Sequence, residues 1–305
     1  MTTFIHVLET ALPVLAALLL GMFCREKKFL TREGIDALKK VVINLTLPFV
    51  LLNAFATADY SGNALIQPLL VFLLCCLALV IGWLFAKVLK LPGRLPAYLA
   101  TGFEAGMLGY ALFVLLFPGD STSNFAILDL GQTLFVFTLY KALLSGKDGL
   151  KAVAKDILVS PIIWAVAAGI LLGATGLYSA MGSWGVVGIL DSLTSFLSAP
   201  TGMIILLTIG YDLVLKEIRW KETSRYIILR LVTMAILAVI ILAVNRVFLN
   251  GMIHEGAAIL LVILPPPYVL PIFADDPSQR TAISSALSAL TLVSLILFAV
   301  MTVVV

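Results

Sequence analysis

Long apolar runs separated by short polar connectors dominate the pattern of hydrophobic and polar positions along this chain. A helix needs roughly 20 apolar residues to cross the ~30 Å hydrocarbon core of a bilayer. Runs that approach this length lie at residues 4–23, 41–56, 64–86, 95–117, 124–144, 157–175, 186–211, 226–249, 256–273 and 281–304. The pattern therefore predicts an all-α membrane protein with ten transmembrane helices.

The composition points to lipid as the surrounding solvent. Of the 305 residues, 61% are apolar and only 12% are charged, whereas a soluble domain carries about 25% charged residues.

The basic residues next to the first apolar run follow it, whereas those of a signal peptide precede the apolar stretch. We therefore expect the first run to be a retained span, and we expect no sizeable soluble domain.

The positions of Lys and Arg test the number of spans, because basic residues stay on the cytoplasmic side of a membrane. With ten spans, 19 of the 20 basic residues fall on one side, Arg230 among them, and Arg246 alone falls on the other. The chain is then predicted to lie in the inner (plasma) membrane, with both termini outside. No Lys or Arg is expected at mid-membrane.

Two sets of five spans, residues 1–145 and 156–305, carry traces of an internal repeat. The Leu-Thr-Leu-Pro sequence that ends at Pro48 in span 2 is echoed by the Leu-Ser-Ala-Pro sequence that ends at Pro200 in span 7. Because five is an odd number, the second set would cross the membrane in the opposite sense. The sequence therefore predicts two inverted five-helix repeats.

Spans 4 and 9 occupy equivalent places in the two sets, and both contain residues that break a helix. Gly102, Gly106 and Gly109 each weaken span 4 by ~1 kcal/mol relative to Ala, and Pro265–Pro267 cannot continue a helix interior. Paired broken helices of this kind mark the binding sites of secondary transporters. We therefore expect these glycines and prolines to form a crossover where the two spans meet.

Glu104 lies among the glycines of span 4. A charged carboxylate at the centre of a bilayer costs at least ~2.5–3.5 kcal/mol, and such residues are usually functional. Glu104 is therefore a candidate to bind a coupling proton or sodium ion, and a structural glutamate is the alternative. The candidate substrate-binding residues flank the two breaks or are polar positions in spans 2 and 5: Glu104, Gly106, Pro265, Pro266, Pro267, Tyr268, Asn44, Thr46 and Gln132. Hydrogen bonding between helices is an equal alternative for Asn44, Thr46 and Gln132.

The chain resembles the auxin efflux carrier family over essentially its whole length, in its ten predicted spans, its broken spans 4 and 9, and its prolines in spans 2 and 7. Family members often carry Asn-x-Gly-x-x-Gly-x-Pro in span 4. The matching stretch here runs from Glu104 to Ala111 and keeps both glycines, Gly106 and Gly109. Glu104 takes the place of the Asn, and Ala111 takes the place of the Pro.

This resemblance implies a fold shared with bile-acid symporters and sodium/proton antiporters. Spans 3–5 and 8–10 would form a moving transport domain, and spans 1, 2, 6 and 7 a scaffold that often forms homodimers. Plant members of the family export indole-3-acetate, and its bacterial members include proposed malonate and malate carriers. The implied substrate is a small organic anion, bound where spans 4 and 9 cross. An ionised Glu104 would repel such an anion, so coupling to a proton is preferred and sodium is the alternative.

Motifs typical of membrane enzymes are incomplete or absent in this sequence. Tyr211-Asp212 matches half of an intramembrane aspartyl protease site, but its Gly-x-Gly-Asp partner is absent, as are HExxH and GxSxG. An enzyme is therefore not expected, and no cofactor is predicted. A channel or a membrane sensor stays open as an alternative. Nucleic-acid binding is not expected, because the basic residues follow the topology rule.

Overall fold

The computed structural model describes residues 2–58, 60, 65–91, 93–140, 143–144, 160–213, 218, 220–268, 270 and 277–304. Every regular element in these ranges is helical, which confirms the all-α prediction. The α-helices are α1 (Thr2–Glu26), α2 (Arg32–Val41), α3 (Leu47–Ala56), α4 (Ile66–Val88), α5 (Leu95–Leu99), α6 (Tyr110–Leu116), α7 (Ser123–Phe135), α8 (Pro161–Ala174), α9 (Leu177–Ser183), α10 (Val187–Ser198), α11 (Thr201–Asp212), α12 (Trp220–Phe248), α13 (Glu255–Ile263) and α14 (Pro277–Val304). Wider π-helical turns occupy Val42–Thr46, Ala105–Gly109 and Val136–Tyr140.

Several of these helices are long and apolar enough to cross a membrane. Among the described residues these are Ile66–Val88, Val187–Asp212, Thr223–Phe248 and Ser285–Val303. The pair α8 and α9, bent by 66° at a short break, would add a fifth. The chain is thus a multi-pass membrane protein, while the count of ten spans and the inverted repeat stay predictions.

The chain divides into two compact units that alternate along the sequence. The first unit comprises residues 1–66, 106–127 and 154–213, and the second comprises residues 67–105, 128–153 and 214–305. Helices α1–α3, α6 and α8–α11 lie in the first unit, and α4, α5 and α12–α14 lie in the second. The predicted repeat boundaries, and the predicted division into scaffold and transport domain, stay predictions.

In the first unit, α1 and α11 pack with their backbones in contact. A Cβ atom added to Gly21 would overlap the carbonyl oxygen of Leu207, and one added to Gly210 would overlap the carbonyl oxygen of Leu18. Small residues allow this close approach, which drives helix association in lipid through van der Waals contact. The two glycines therefore hold α1 against α11.

An ion cluster at the end of α11, on the predicted cytoplasmic side, connects elements of the same unit. The carboxylate of Asp212 accepts hydrogen bonds from Arg32, at 2.5 Å, and from Lys39. The guanidinium of Arg25 donates to the carbonyl oxygens of Tyr211, at 2.7 Å, and Leu213, at 2.9 Å. Burial disfavours the charge of Arg32, but the neighbouring groups together, with Asp212 first among them, raise the pKa of Arg32. Asp212 is thus ion-paired with both Arg32 and Lys39.

Aromatic contacts hold part of the second unit together. The rings of Tyr98 and Tyr140 meet edge to face with centroids 5.2 Å apart, and Phe72 meets Phe135 in the same way at 6.0 Å. The buried hydroxyl of Tyr140 also donates to the carbonyl oxygen of Tyr98, at 3.2 Å. The two contacts of Tyr98 with Tyr140 fix α5 directly before the point where the chain leaves helical geometry.

Candidate functional site

The first break in helical geometry follows α5. This five-residue helix ends at Leu99, and residues 100–104 form no helix before the π-helical turn Ala105–Gly109. Gly102 has φ +71°, a left-handed conformation that side chains rarely adopt. A Cβ atom on Gly102 would also lie 2.9 Å from the Cγ atom of Pro267. Both observations explain why glycine occupies this position.

The second break follows α13. This helix begins at an N-cap, His254, whose Nδ1 atom accepts the backbone N–H of Ala257 at 2.9 Å. It ends at Ile263, because Leu264 is extended with ψ 152° and the next three residues are prolines. Proline lacks the N–H that a helix interior requires. Pro265, Pro266 and Pro267 are all buried, so this extended segment lies inside the protein.

Glu104 connects the two breaks through both its backbone and its side chain. Its N–H donates to the carbonyl oxygen of Pro265 at 2.8 Å, and its carboxylate accepts the backbone N–H of Tyr268 at 2.5 Å. The residue is only 7% exposed. The structure therefore brings together Glu104, the proline segment and Tyr268, which the sequence predicted as parts of one site.

Tyr268 extends this contact to a third helix. Its hydroxyl group lies 2.9 Å from the hydroxyl oxygen of Thr291 in α14, and Thr291 is buried. The side chain of Tyr268 itself is half-buried. A change at the Glu104 carboxylate would therefore move the Tyr268 backbone and, with it, the Tyr268 ring.

Arg230 of α12 is the residue at this site that sequence reasoning missed. It is 3% exposed, and its guanidinium donates to the carbonyl oxygens of Gly102 at 2.8 Å, Leu264 at 2.7 Å and Leu99 at 3.4 Å. Its charged carbon lies 5.4 Å from the ring centroid of Phe103, within the range of a cation–π contact. Its Nε atom is buried without a hydrogen-bond partner in the described part of the protein.

The assignment of Arg230 to a cytoplasmic connector is therefore wrong, while the expectation that no Lys or Arg lies at mid-membrane stays a prediction. Arg230 lies inside the candidate span Thr223–Phe248 and contacts both breaks. A signal was present in the sequence, since Arg230 is the one charged residue between Arg225 and Arg246. An isolated charge in an apolar run is usually functional. Arg230 closely follows a basic connector, however, and therefore resembles a charge that only sets the topology.

Gln132 of α7 is buried beside an acidic residue of the same helix. Its amide donates to a carboxylate oxygen of Asp129 at 3.3 Å, and Thr133 donates to the same oxygen at 3.1 Å. The carbonyl oxygen of the Gln132 side chain is buried with no hydrogen-bond partner among the described residues. Gln132 therefore retains an acceptor that hydrogen bonding within α7 does not use.

The remaining predicted residues lie in the first unit. Asn44 is exposed and donates to the carbonyl oxygen of Lys40, at 2.9 Å. Gly109 has ordinary helical geometry, and among the described atoms a Cβ on Gly106 would meet only the Leu47 side chain, at 3.9 Å. Neither glycine is thus required by its backbone conformation, and the described neighbours do not crowd Gly106.

Thr46 lines an open groove in this unit, and its buried hydroxyl has no hydrogen-bond partner among the described residues. The groove has a volume of about 640 Å³ and is formed by residues around the two echoed proline motifs: Val41, Leu45, Thr46, Phe196, Leu197, Ala199 and Pro200. Its walls are otherwise apolar. Thr46 is the one residue with a side-chain hydroxyl among the described residues that line this groove, and that hydroxyl is buried.

Comparison with known proteins relates the chain to transporters. Residues 6–140 match the model of a family described as membrane transport protein. An uncharacterized transporter of Methanothermobacter thermautotrophicus is 26% identical over 218 residues, which is 69% of this chain and 69% of the relative. These similarities support the predicted family and a transporter.

Proposed function

We propose that this chain is a secondary active transporter of a small organic carboxylate, coupled to a proton; its similarity to membrane transport proteins over residues 6–140 supports transport. The substrate binds where the breaks at residues 100–104 and 264–268 meet. One observation carries this proposal: the buried carboxylate of Glu104 accepts the backbone N–H of Tyr268 across the two breaks. The protonation state of a single side chain thereby acts on both broken segments.

The two protonation states of Glu104 have different consequences for an anion. An ionised carboxylate accepts hydrogen bonds only and repels a second negative charge, whereas a protonated one is neutral and gains an O–H donor. A carboxylate substrate therefore binds when Glu104 is protonated. The proton and the anion bind together, and neither is carried alone.

The surroundings of Glu104 favour an anion once that carboxylate is neutral. Arg230 places a permanent positive charge against Gly102 and Leu264, on the two segments that Glu104 connects. Positive charge in a site of low dielectric raises the local concentration of anionic substrates. These contacts support a negatively charged substrate over a neutral one.

The arrangement in the membrane is part of this proposal. The chain crosses the inner membrane ten times as two inverted five-helix repeats, with both termini outside. Helices of the second unit move the substrate, and spans 1, 2, 6 and 7 form a homodimeric scaffold. The alternation of the basic residues supports the topology, and the presence of α1–α3 and α8–α11 together in one compact unit supports the scaffold.

Transport in proteoliposomes tests the proposal. Purified protein is screened by thermal shift against malonate, malate and indole-3-acetate at several pH values, and the best ligand is then measured for uptake. We expect saturable uptake that an inward proton gradient accelerates and that a proton ionophore slows. Uptake of the anion that does not change with the proton gradient would contradict the proposed coupling.

A further inference from the structure

The guanidinium of Arg230 occupies a position formed by backbone carbonyl groups from both breaks. Leu99 ends α5, Gly102 lies in the first break, and Leu264 directly follows α13. The last carbonyl groups of a helix have no partner within that helix and carry the negative end of its dipole. Arg230 therefore meets partial negative charge from two separate helix ends.

In transporters with broken helices, such carbonyl groups and helix C-terminal ends are the ligands of the coupling sodium ion. Here the hydrogen bonds of Arg230 to Gly102, at 2.8 Å, and to Leu264, at 2.7 Å, already use these oxygens. We propose that Arg230 is a built-in replacement for a coupling cation, which holds the two breaks together and makes transport independent of sodium. The statement about sodium-independent transport rests on the proposed function, whereas the role of Arg230 in holding the two breaks together does not.

The replacement has a mechanistic consequence, because a guanidinium cannot be deprotonated in a protein and cannot leave the site. A bound sodium ion enters and leaves during each transport cycle, so the charge at the crossover changes. With Arg230 in its place, the positive charge is constant and Glu104 is the variable charge at the same breaks. The residue that replaces the cation thus leaves the proton as the coupling ion.

The burial of Arg230 supports a specific role over a general contribution to topology. A charge required only for orientation lies in a connector, where water solvates it. Arg225, one and a half turns earlier on α12, is exposed in this way. Arg230 is 3% exposed and directs its donors at carbonyl groups more than 30 residues away in the chain. Arg225 is therefore the matched control for Arg230.

The experiment measures the thermal stability of purified protein in detergent without any substrate, so it is independent of the proposed function. Wild-type protein, Arg230→Ala and Arg225→Ala are compared in sodium chloride, choline chloride and a low concentration of guanidinium chloride at equal ionic strength. We expect the same Tm for the wild type in sodium and in choline. Arg230→Ala should lose on the order of 10 °C, and sodium or guanidinium, but not choline, should restore part of that loss. Arg225→Ala should behave as the wild type.

Two results would overturn the inference. The first is a wild-type protein that sodium stabilises relative to choline, since a vacant cation site would then exist. The second is an Arg230→Ala protein whose Tm responds equally to sodium, guanidinium and choline, which would make Arg230 a structural contact only. If Arg230→Ala gives no folded protein, the wild-type comparison is repeated with binding of radioactive sodium, and stoichiometric binding would refute the inference.

Discussion

Gly102 and Pro267 belong to different breaks, yet a Cβ atom on Gly102 would lie 2.9 Å from the Cγ atom of Pro267. The two segments therefore touch at a point where no side chain fits on the glycine. The φ value of +71° at Gly102 adds a conformational reason for glycine. Contact and conformation together make this position a sensitive probe of the crossover.

Substitution of Gly102 by Ala should destabilise the protein by about 2–4 kcal/mol, from left-handed strain and overpacking against Pro267. The measurement is thermal unfolding of the purified protein. Gly93→Ala separates the two causes, because Gly93 has φ +78° and an added Cβ there would meet no atom of the described residues within 4 Å. Equal losses in the two variants would mean that the contact with Pro267 contributes nothing.

Substitution of Glu104 by Gln should leave the protein folded, since the amide oxygen still accepts the N–H of Tyr268. Uptake of the anion should then lose its dependence on pH, because the side chain no longer exchanges a proton. The pH profile of uptake in proteoliposomes measures this. Glu26→Gln, at an exposed position, is the control for loss of one negative charge. Unchanged transport with an unchanged pH profile would remove Glu104 from the coupling mechanism.

Substitution of Tyr268 by Phe should cost about 1 kcal/mol, because it removes the hydrogen bond to Thr291. The contact of Glu104 with the Tyr268 backbone is retained, so the pH profile of uptake should keep its shape. A double-mutant cycle with Thr291→Val isolates the pair, and we expect a coupling energy of about 0.5–1 kcal/mol. A coupling energy near zero would show that the two hydroxyl groups do not stabilise the folded protein.

Substitution of Asp212 by Asn should destabilise the first unit by about 1 kcal/mol, because Arg32 and Lys39 both lose an ionised partner. The effect should shrink as the salt concentration rises, since these groups are partly exposed and screened. Unfolding at low and high ionic strength measures it. Glu255→Gln is the control, because its exposed pairing with Arg246 joins elements of the second unit.

A reporter fused after Val305 tests the predicted topology. With ten spans and both termini outside, a fused alkaline phosphatase should be active, because this enzyme requires an oxidising compartment. A fused green fluorescent protein, which serves as the opposite indicator, should give little fluorescence. The reverse pattern would contradict the predicted orientation of the chain.

Sequence reasoning predicted helices and their breaks best where a residue type acts directly on its own stretch of backbone. Apolar length predicted membrane helices, and the glycine and proline clusters predicted breaks at the positions where residues 100–104 and 264–268 are non-helical. Glu104 contacts Pro265 and Tyr268, and the crossover of the two spans stays a prediction. Asn44 and Thr46, by contrast, were ambiguous, since a polar side chain in an apolar run has many available partners.

Hydrophobic length and the backbone limits of Gly and Pro act locally, so the amino-acid sequence alone indicates an all-helical membrane protein with two broken segments. The contacts of Arg230 depend instead on packing. Its partners lie up to 131 positions away in the chain, and no local pattern specifies which distant carbonyl groups a buried guanidinium will meet. The packing of α12 against the two breaks selects these partners, so a residue that resembles a topology charge contacts both breaks.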